Sequence, residues 1–203
     1  MTSVRGALFE DLVAVPDDGS LHELVRGEIR QMPPPKGEHG GVEMAVAGAI
    51  ERYLYGWAVA LGWQESDGRA ARQRLVGYLG GGEQGIRFSL PDDPDQVRGV
   101  DVLYLTPEQY TRHARVLAEE YIPAVPALCI EVISPSQSAD EVDERVQDYL
   151  AGGAQMVWCL FPRRRTVTIY TPDRAPQTVR AGETLMGDPV LPGLAIPLAL
   201  LFA

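Results

Sequence analysis

Lysine is almost absent from this 203-residue chain. Lys36 is the only one, so the other 17 of the 18 basic residues are arginines. Acidic residues number 28, and the formal net charge is −10. Because nucleic-acid phosphates are met by lysine and arginine, this balance excludes a generally basic nucleic-acid-binding protein. It still allows a local basic cleft, or one lined by metal ions.

Cysteines and long apolar runs are also scarce. Cys129 and Cys159 both lie within apolar, strand-like segments, so we expect two free, buried thiols. The chain has no CxxC, HExxH or GK[ST] motif, which excludes the common zinc and phosphate-loop sites. We expect no membrane span and a cytoplasmic location, because no leader-like or 18-residue apolar run occurs. Length and hydrophobic content predict one domain over residues 1–203.

Apolar periodicity predicts several elements in the first half of the chain. A short opening helix is expected over residues 2–13. Leu21, Glu23 and Val25 alternate with polar neighbours, and Gly27 indicates a turn between two short strands. Apolar residues recur at spacings of three and four over 41–61, which predicts the longest helix. Strands are expected within 63–79, and a loop with one short strand within 80–98.

The second half alternates strands and helices. The segments GVDVLYL and CIEVI predict two apolar strands, with a helical or irregular connection over 107–121. Ser138-Ala-Asp-Glu141 is a capping box before a helix whose polar face would carry Glu141, Glu144 and Asp148. MVWCLF and TVTIY predict a hairpin joined by PRRR, and the chain ends in a packed tail. This order predicts an α/β or α+β layer fold with a mixed sheet.

Two carboxylates interrupt these apolar strands. Asp101 lies within GVDVLYL and Glu131 within CIEVI. A buried carboxylate is costly unless it is paired, protonated or bound to a metal. If the strands are neighbours, a hard cation between the acids would relieve their repulsion and could activate water at a phosphate. Alternatively, each acid caps a strand edge or pairs with an arginine, and spacing alone leaves both possibilities open.

Five stretches carry a family resemblance over residues 21–161. They are HELVRGEIRQMPPPKGEHG, RGVDVLYL, LCIEVISPS, ERVQDYLAGGA and MVWCLFP. In this order and spacing, the chain resembles the bacterial Uma-two type family of restriction-endonuclease-like proteins, within the PD-(D/E)XK nuclease superfamily. The resemblance implies a restriction-endonuclease-like mixed central sheet flanked by helices. It also implies a Mg²⁺ or Mn²⁺ cofactor, DNA as partner, and a homodimer.

The resemblance also implies a set of site residues. Asp101 and Glu131 match the family's metal ligands, and the backbone carbonyl of Ile133 is a further candidate ligand. Glu28 matches an early acid expected near the site, although a surface strand position is equally compatible. His39 matches a histidine just before the long helix and is a candidate substrate-binding residue, or simply a partly exposed side chain.

Three positions depart from the family pattern. Val100 replaces a proline, Phe161 replaces an aspartate, and Arg145 stands where the family has a lysine four residues before Tyr149. Arginine stays protonated and cannot be a general base, but it grips phosphate with two N–H groups. Arg145 is therefore a candidate catalytic and substrate-binding residue that stabilises transition-state charge. Its alternative is a solvated position on the helix.

Three functions are compatible with these residues. The leading hypothesis is a metal-dependent DNA endonuclease that hydrolyses phosphodiester bonds. The alternative is a catalytically weakened nuclease-fold protein that binds DNA or a protein partner without cutting. A third is a metal-dependent phosphodiesterase acting on a smaller substrate. The basic segment Arg163–Arg165 is compatible with a DNA contact and with a solvated turn.

Overall fold

The computed structural model describes residues 6–16, 19–32, 37–117 and 121–202. Its helices are α1 Phe9–Val13, α2 Gly37–Ala60, α3 Arg69–Val76, α4 Pro107–His113 and α5 Ala139–Ala151. Its strands are β1 His22–Val25, β2 Glu28–Gln31, β3 Tyr78–Phe88, β4 Gln96–Leu105, β5 Tyr121–Ile122, β6 Leu128–Val132, β7 Met156–Phe161, β8 Thr166–Thr171, β9 Arg174–Val179, β10 Thr184–Met186 and β11 Ala195–Pro197.

Nine of these strands form one sheet. Its main path runs β2-β1-β4-β6-β7-β8-β9, while β3 pairs with β4 and with β5. Most pairings are antiparallel, but β3 pairs with β5 in parallel, and so does β6 with β7, which α5 connects. The predicted mixed sheet flanked by helices is confirmed. Strands β10 and β11 form a separate two-stranded sheet.

Each face of the sheet is covered by one long helix. Val46 and Ile50 of α2 are fully buried in the cluster that contains Ile130 and Trp158. On the other face, Tyr149 of α5 is buried in a cluster with both cysteines. Cys129 and Cys159 are free and buried, as predicted. The two faces therefore bury apolar surface on opposite sides of β6 and β7.

Strand β4 has an interrupted edge. Strand β1 pairs with β4 at Val97, and β6 pairs with it from Val102 to Tyr104. In the part of the chain that the structure describes, no strand is paired with the edge of β4 between these two contacts. Backbone groups there need other partners, because unpaired buried peptide groups are destabilising.

Two predictions for residues 63–98 are wrong. Most of the segment 63–79, expected to hold strands, forms α3 between Gly68 and Gly77, both with positive φ, and only Tyr78 and Leu79 belong to a strand, β3. The segment expected to be mostly loop contains the 11-residue strand β3 and the start of β4. Glycines favoured the loop interpretation, but Gly80 and Gly81 lie in the paired part of β3, and a Cβ at Gly80 would meet the side-chain amide of Gln84.

Other predicted elements are confirmed with shifted ends. The opening helix spans only Phe9–Val13, and residues 1–5 lie outside the described residues. The long helix begins at Gly37, so His39 lies in its first turn rather than before it. The capping box is confirmed, since Ser138 Oγ accepts from Glu141 N at 3.2 Å and Glu141 accepts from Ser138 N at 2.7 Å. Among the described helices, none is long and apolar enough to span a membrane.

Candidate active site

Side chains occupy the interrupted edge of β4. The Gly99 N–H donates to Glu23 Oε1 at 2.8 Å, where a neighbouring strand would otherwise supply the acceptor. The Gly99 carbonyl accepts from Arg145 Nη1 at 2.8 Å and from Tyr149 Oη at 3.1 Å. Strand β1 supplies Glu23, and α5 supplies the arginine and the tyrosine one turn apart. The peptide of Gly99 is thus satisfied by three side chains.

These side chains form a sealed cluster with Glu131. We use this name for Glu23, Glu131, Arg145 and Tyr149. Tyr149 Oη lies 2.6 Å from Glu131 Oε1, and Arg145 Nη1 lies 3.6 Å from the same oxygen. Arg145 Nη1 also lies 2.9 Å from Glu23 Oε1. All four side chains are at most 8% exposed, so their charges are satisfied inside the protein rather than by bulk water.

Burial makes Glu131 a weak acid. It raises the pKa of Glu131 from its ordinary value of 4.5 to about 8; Arg145 opposes the shift and Asp101 adds to it. Tyr149 Oη is the donor to both neighbouring acceptors, Gly99 O and Glu131 Oε1, and its single hydroxyl proton serves one of them at a time. Arg145 keeps Glu23 as its counter-ion.

A second ion-pair network fixes α5 against the sheet. Asp148, predicted on the solvated face of the helix, is only 2% exposed. It pairs with Arg98 of β4, and with Arg26 of the β1–β2 turn at 3.0 Å. Glu144 pairs with Arg26 at 2.8 Å and with Arg30 at 3.2 Å. These contacts hold the helix in the register that points Arg145 into the sealed cluster.

Asp101 belongs to a second, more accessible group. Its Oδ2 accepts from the Val132 N–H at 2.6 Å, and its Oδ1 lies 3.2 Å from His39 Nε2. Contact with Asp101 raises the pKa of His39, which favours the charged imidazolium. The contact is an ion pair rather than a well-formed hydrogen bond, since Nε2 has no hydrogen-bond partner among the described residues.

A bulge in β3 brings Glu83 to the same place. The register with β4 shifts between Gly81 and Gln84, and Glu83 takes a left-handed φ of 56°. Gly82 N donates to Glu43 Oε1 of α2 at 2.7 Å, which ties the bulge to the helix. One ligand atom each from His39, Glu83 and Asp101 lie within 4.8 Å of one another. We call these three residues the open cluster.

The structure brings most of the predicted site residues together. Extending the β4–β6 register by one residue beyond the Val102–Ile130 pair places Asp101 opposite Glu131. Arg145 adjoins Glu131, and His39 adjoins Asp101. Ile133 follows directly after β6, and its N–H donates to Leu160 O at 2.8 Å.

Glu28 lies outside both clusters. It is on β2 with 72% of its side chain exposed, 3.4 Å from Arg30. The inner acid of the same hairpin is Glu23, which sequence reasoning missed as a site residue. The sequence signal for Glu23 was its spacing of two residues from Leu21 and from Val25, which places it on the same face of the strand as these apolar residues. Glu83 was missed because its glycine-rich surroundings indicated a loop, and Lys36 lies outside the described residues.

Comparison with known proteins places the chain in a family. The model of the Uma2 family, described as "Putative restriction endonuclease", matches residues 9–199. The chain belongs to this family. A crystal structure described as a "putative nuclease belonging to DUF820", from Anabaena variabilis ATCC 29413, is similar in fold, with a TM-score of 0.74. It is 20% identical, and the match covers 95% of this chain and 96% of that chain. No curated protein matches the chain.

The open cluster of this Uma2 family member has the donor set of a divalent-metal site. Two carboxylates and an imidazole can supply three ligands, and divalent ions are commonly held by such groups. His39 Nε2 makes no hydrogen bond in the part of the chain described and lies 3.2 Å from Asp101 Oδ1, so it could bind a metal after a dication displaced its proton. The membership in a nuclease family and this donor set both favour a divalent metal.

Proposed function

We propose that this chain is a divalent-metal-dependent endonuclease that hydrolyses phosphodiester bonds of DNA, with Mg²⁺ or Mn²⁺ as its cofactor. The observation that carries the proposal is the convergence of His39, Glu83 and Asp101 beside Glu131 and Arg145. This arrangement occurs in a chain of the restriction-endonuclease-like family. A bound divalent ion would supply an activated water and would stabilise charge on the phosphate.

Each predicted site residue has a role in this proposal. Asp101 would anchor the ion, and Glu131 and the Ile133 carbonyl would be further candidate ligands in the substrate complex. His39, beside Asp101, would help to bind the substrate phosphate. Arg145 is placed to stabilise negative charge that develops on the phosphate, because its fork of N–H donors matches phosphate oxygens. Glu28 keeps only an assisting role at the exposed hairpin.

DNA as substrate is supported by a basic turn at one end of the sheet. Parallel strands β6 and β7 end together, since Val132 pairs with Leu160. The exposed segment Arg163–Arg165 follows β7 directly, and α2 packs against this turn. Three arginines there would attract a phosphate backbone despite the net charge of −10. We also propose a single domain and, from the family resemblance, a homodimer.

A second function is favoured by the contacts of Arg145. This guanidinium is 8% exposed and already contacts Gly99 O, Tyr149, Glu23 and Glu131. An arginine held in this way does not reach a substrate unless the sealed cluster opens. The alternative proposal is therefore a nuclease-fold protein that binds DNA or a protein partner without cutting.

The test combines DNA cleavage with DNA binding. Long duplex DNA of mixed sequence and single-stranded DNA are incubated with the wild type and Mn²⁺ or Mg²⁺, with EDTA as a control. The proposal expects metal-dependent cleavage that Asp101→Asn abolishes and Glu43→Gln retains. A small aryl phosphodiester is assayed in parallel, since its turnover without DNA cleavage would indicate a smaller natural substrate.

Arg145→Lys separates the two candidates. An active wild type is expected to keep cleavage within about tenfold after this change, because a cation remains beside the phosphate. DNA binding without cleavage by wild type, with cleavage gained by Arg145→Lys, would establish the non-cutting function. A wild type that neither cuts nor binds DNA would contradict the proposed DNA endonuclease.

A further inference from the structure

We propose that before DNA binds, this protein holds one first-row transition-metal dication, of the Mn²⁺, Co²⁺ or Zn²⁺ class, on the open cluster. The ligands are His39 Nε2, a Glu83 carboxylate oxygen and an Asp101 carboxylate oxygen. Glu131 is outside the coordination shell of this resting ion. The inference rests on the proposed metal-dependent function and specifies its cofactor and its starting state.

The backbone brings the three ligands from separate elements to one point. His39 comes from the first turn of α2, Asp101 from the centre of β4, and Glu83 from the bulge of β3. Their ligand atoms lie within 4.8 Å of one another. Ligands bonded to one ion at about 2.0–2.2 Å lie about 3–4 Å apart, so only a small contraction is needed.

The partners of these groups are incomplete without a cation. His39 Nε2 is a buried nitrogen with no hydrogen-bond partner within the described ranges. Among the same residues, the Glu83 carboxylate makes no hydrogen bond or ion pair, although its backbone takes a left-handed conformation to reach this place. Glu43 lies nearby, but its carboxylate already accepts from Gly82 N, and a glutamine there keeps that acceptor. The two acids Glu83 and Asp101 facing one imidazole leave net negative charge, which a dication would neutralise.

Glu131 is not available to the resting ion. Its Oε1 lies 2.6 Å from Tyr149 Oη, and the adjoining Arg145 places a positive charge 3.6 Å away. A cation that bound Glu131 would have to approach this guanidinium and displace the tyrosine. The bulge supplies a replacement carboxylate, Glu83, on the side of Asp101 where His39 lies.

The imidazole ligand determines the class of metal. Mg²⁺ prefers an all-oxygen shell and keeps several waters, whereas imidazole suits the later first-row dications such as Zn²⁺, and affinity rises from Mn²⁺ to Co²⁺ at a site of this kind. An Asp101–Glu131–carbonyl site, by contrast, offers only oxygen atoms and would not discriminate against Mg²⁺. Metal preference in the absence of DNA therefore distinguishes the two ligand sets.

The experiment is calorimetric titration of DNA-free protein with Mn²⁺, Co²⁺ and Mg²⁺. The proteins are wild type, Glu83→Gln, Glu131→Gln and, as a matched control, Glu43→Gln. We expect Mn²⁺ to bind at least tenfold more tightly than Mg²⁺. Glu83→Gln should weaken Mn²⁺ binding at least tenfold, while Glu131→Gln and Glu43→Gln should stay within about threefold of wild type. Thermal melts confirm that each variant is folded.

The visible absorption spectrum of bound Co²⁺ tests separately whether His39 is a ligand. Bound Co²⁺ should give visible d–d bands that change in His39→Asn and are retained in Glu131→Gln. Loss of binding in Glu131→Gln with full binding in Glu83→Gln would overturn the inference and place the ion between Asp101 and Glu131. Equal Mg²⁺ and Mn²⁺ affinities, or no binding of any of the three ions at millimolar concentration, would also overturn it. Metal binding as expected without DNA cleavage would instead contradict only the proposed function.

Discussion

Asp101 and Glu131 lie opposite each other on neighbouring strands, yet their carboxyl groups have different partners. Glu131 contacts a tyrosine and an arginine whose own counter-ion, Glu23, is supplied by β1. Asp101 contacts a backbone N–H and a histidine, and lies near the carboxylate of Glu83. The sealed cluster satisfies its charges internally, whereas the open cluster combines two acids with one imidazole.

The proposed division between stability and metal binding within this strand pair follows from the different partners of the two acids. The interrupted edge of β4 needs hydrogen-bond partners, and the sealed cluster supplies them to Gly99. Asp101 lies two residues further along β4. One of its carboxylate oxygens accepts from Val132 N, and the other faces His39. Glu131 therefore belongs to the buried network, and Asp101 is the acid that we propose as a metal ligand.

The largest effect is expected from breaking the sealed cluster. Arg145→Met removes the nearer cation of buried Glu23 and leaves it only Arg98, at 3.4 Å, so we expect a loss of about 3 kcal/mol in the free energy of unfolding. Arg145→Lys keeps a positive charge and should cost less. Urea denaturation of the two variants measures both values. A loss below about 1 kcal/mol in Arg145→Met would mean that the cluster is not a buried charge network.

Breaking the open cluster should affect function rather than stability. Asp101→Asn removes the proposed metal anchor, so metal-dependent cleavage should fall at least about 100-fold, or about 2.7 kcal/mol of transition-state stabilisation. The free energy of unfolding should change by less than in Arg145→Met. Steady-state cleavage at saturating Mn²⁺ measures the loss, with Glu43→Gln as the matched acid. Wild-type cleavage by Asp101→Asn would remove this residue from the mechanism.

The pH dependence of stability sharpens the contrast between the two acids. Because the pKa of Glu131 is raised from 4.5 to about 8, the folded state binds more protons than the unfolded state between these values. The contribution of Glu131 to the free energy of unfolding is fully present below pH 4.5 and is lost as pH rises through about 8. Wild type should therefore lose at least about 1 kcal/mol of stability relative to Glu131→Gln between pH 5 and 8, since one pKa unit corresponds to about 1.4 kcal/mol.

The control for this measurement is the pH dependence of the free energy of unfolding of Glu131→Gln. His39 and Glu83 also have raised pKa values and contribute in the same direction in both proteins. Parallel stability curves for wild type and Glu131→Gln would show that Glu131 is ionised in the folded protein across this range.

The smallest effect is expected at the hairpin acid outside both clusters. Glu28→Gln removes an exposed ion pair with Arg30, so the free energy of unfolding should change by less than about 0.5 kcal/mol. Cleavage should stay within about threefold of wild type. Glu23→Gln, on the preceding strand, is the informative comparison because it weakens the pairing of buried Arg145. A larger functional loss in Glu28→Gln than in Glu23→Gln would restore Glu28 as a main site residue.

Sequence patterns predicted the parts of the fold that have strong apolar periodicity. The long helix, the strands around Asp101 and Glu131, and the capping box at Ser138 depend on local signals and are confirmed. The β3 segment could not be predicted because its glycines serve close packing and a bulge, which depend on the partner strand. Asp148 was misplaced because its helix position indicated solvent, whereas tertiary ion pairs bury it.

The site was predictable only where its residues interrupt apolar patterns. Asp101 and Glu131 are single acids in hydrophobic strands, and each interruption marked a residue with buried polar partners. Glu83 gave no such signal, since its position follows from a register shift. The contacts among Glu23, Arg145 and Glu131 also depend on the gap that β1 and β6 leave along the edge of β4. No local sequence pattern indicates this gap.

The most direct test of the open cluster as the metal site is an anomalous-scattering map from crystals of the DNA-free protein grown with Mn²⁺. We expect one anomalous peak within about 2.3 Å of His39 Nε2 and of carboxylate oxygens of Glu83 and Asp101, with Glu131 still contacting Tyr149. A peak coordinated by Asp101 and Glu131, with His39 and Glu83 outside its shell, would contradict it.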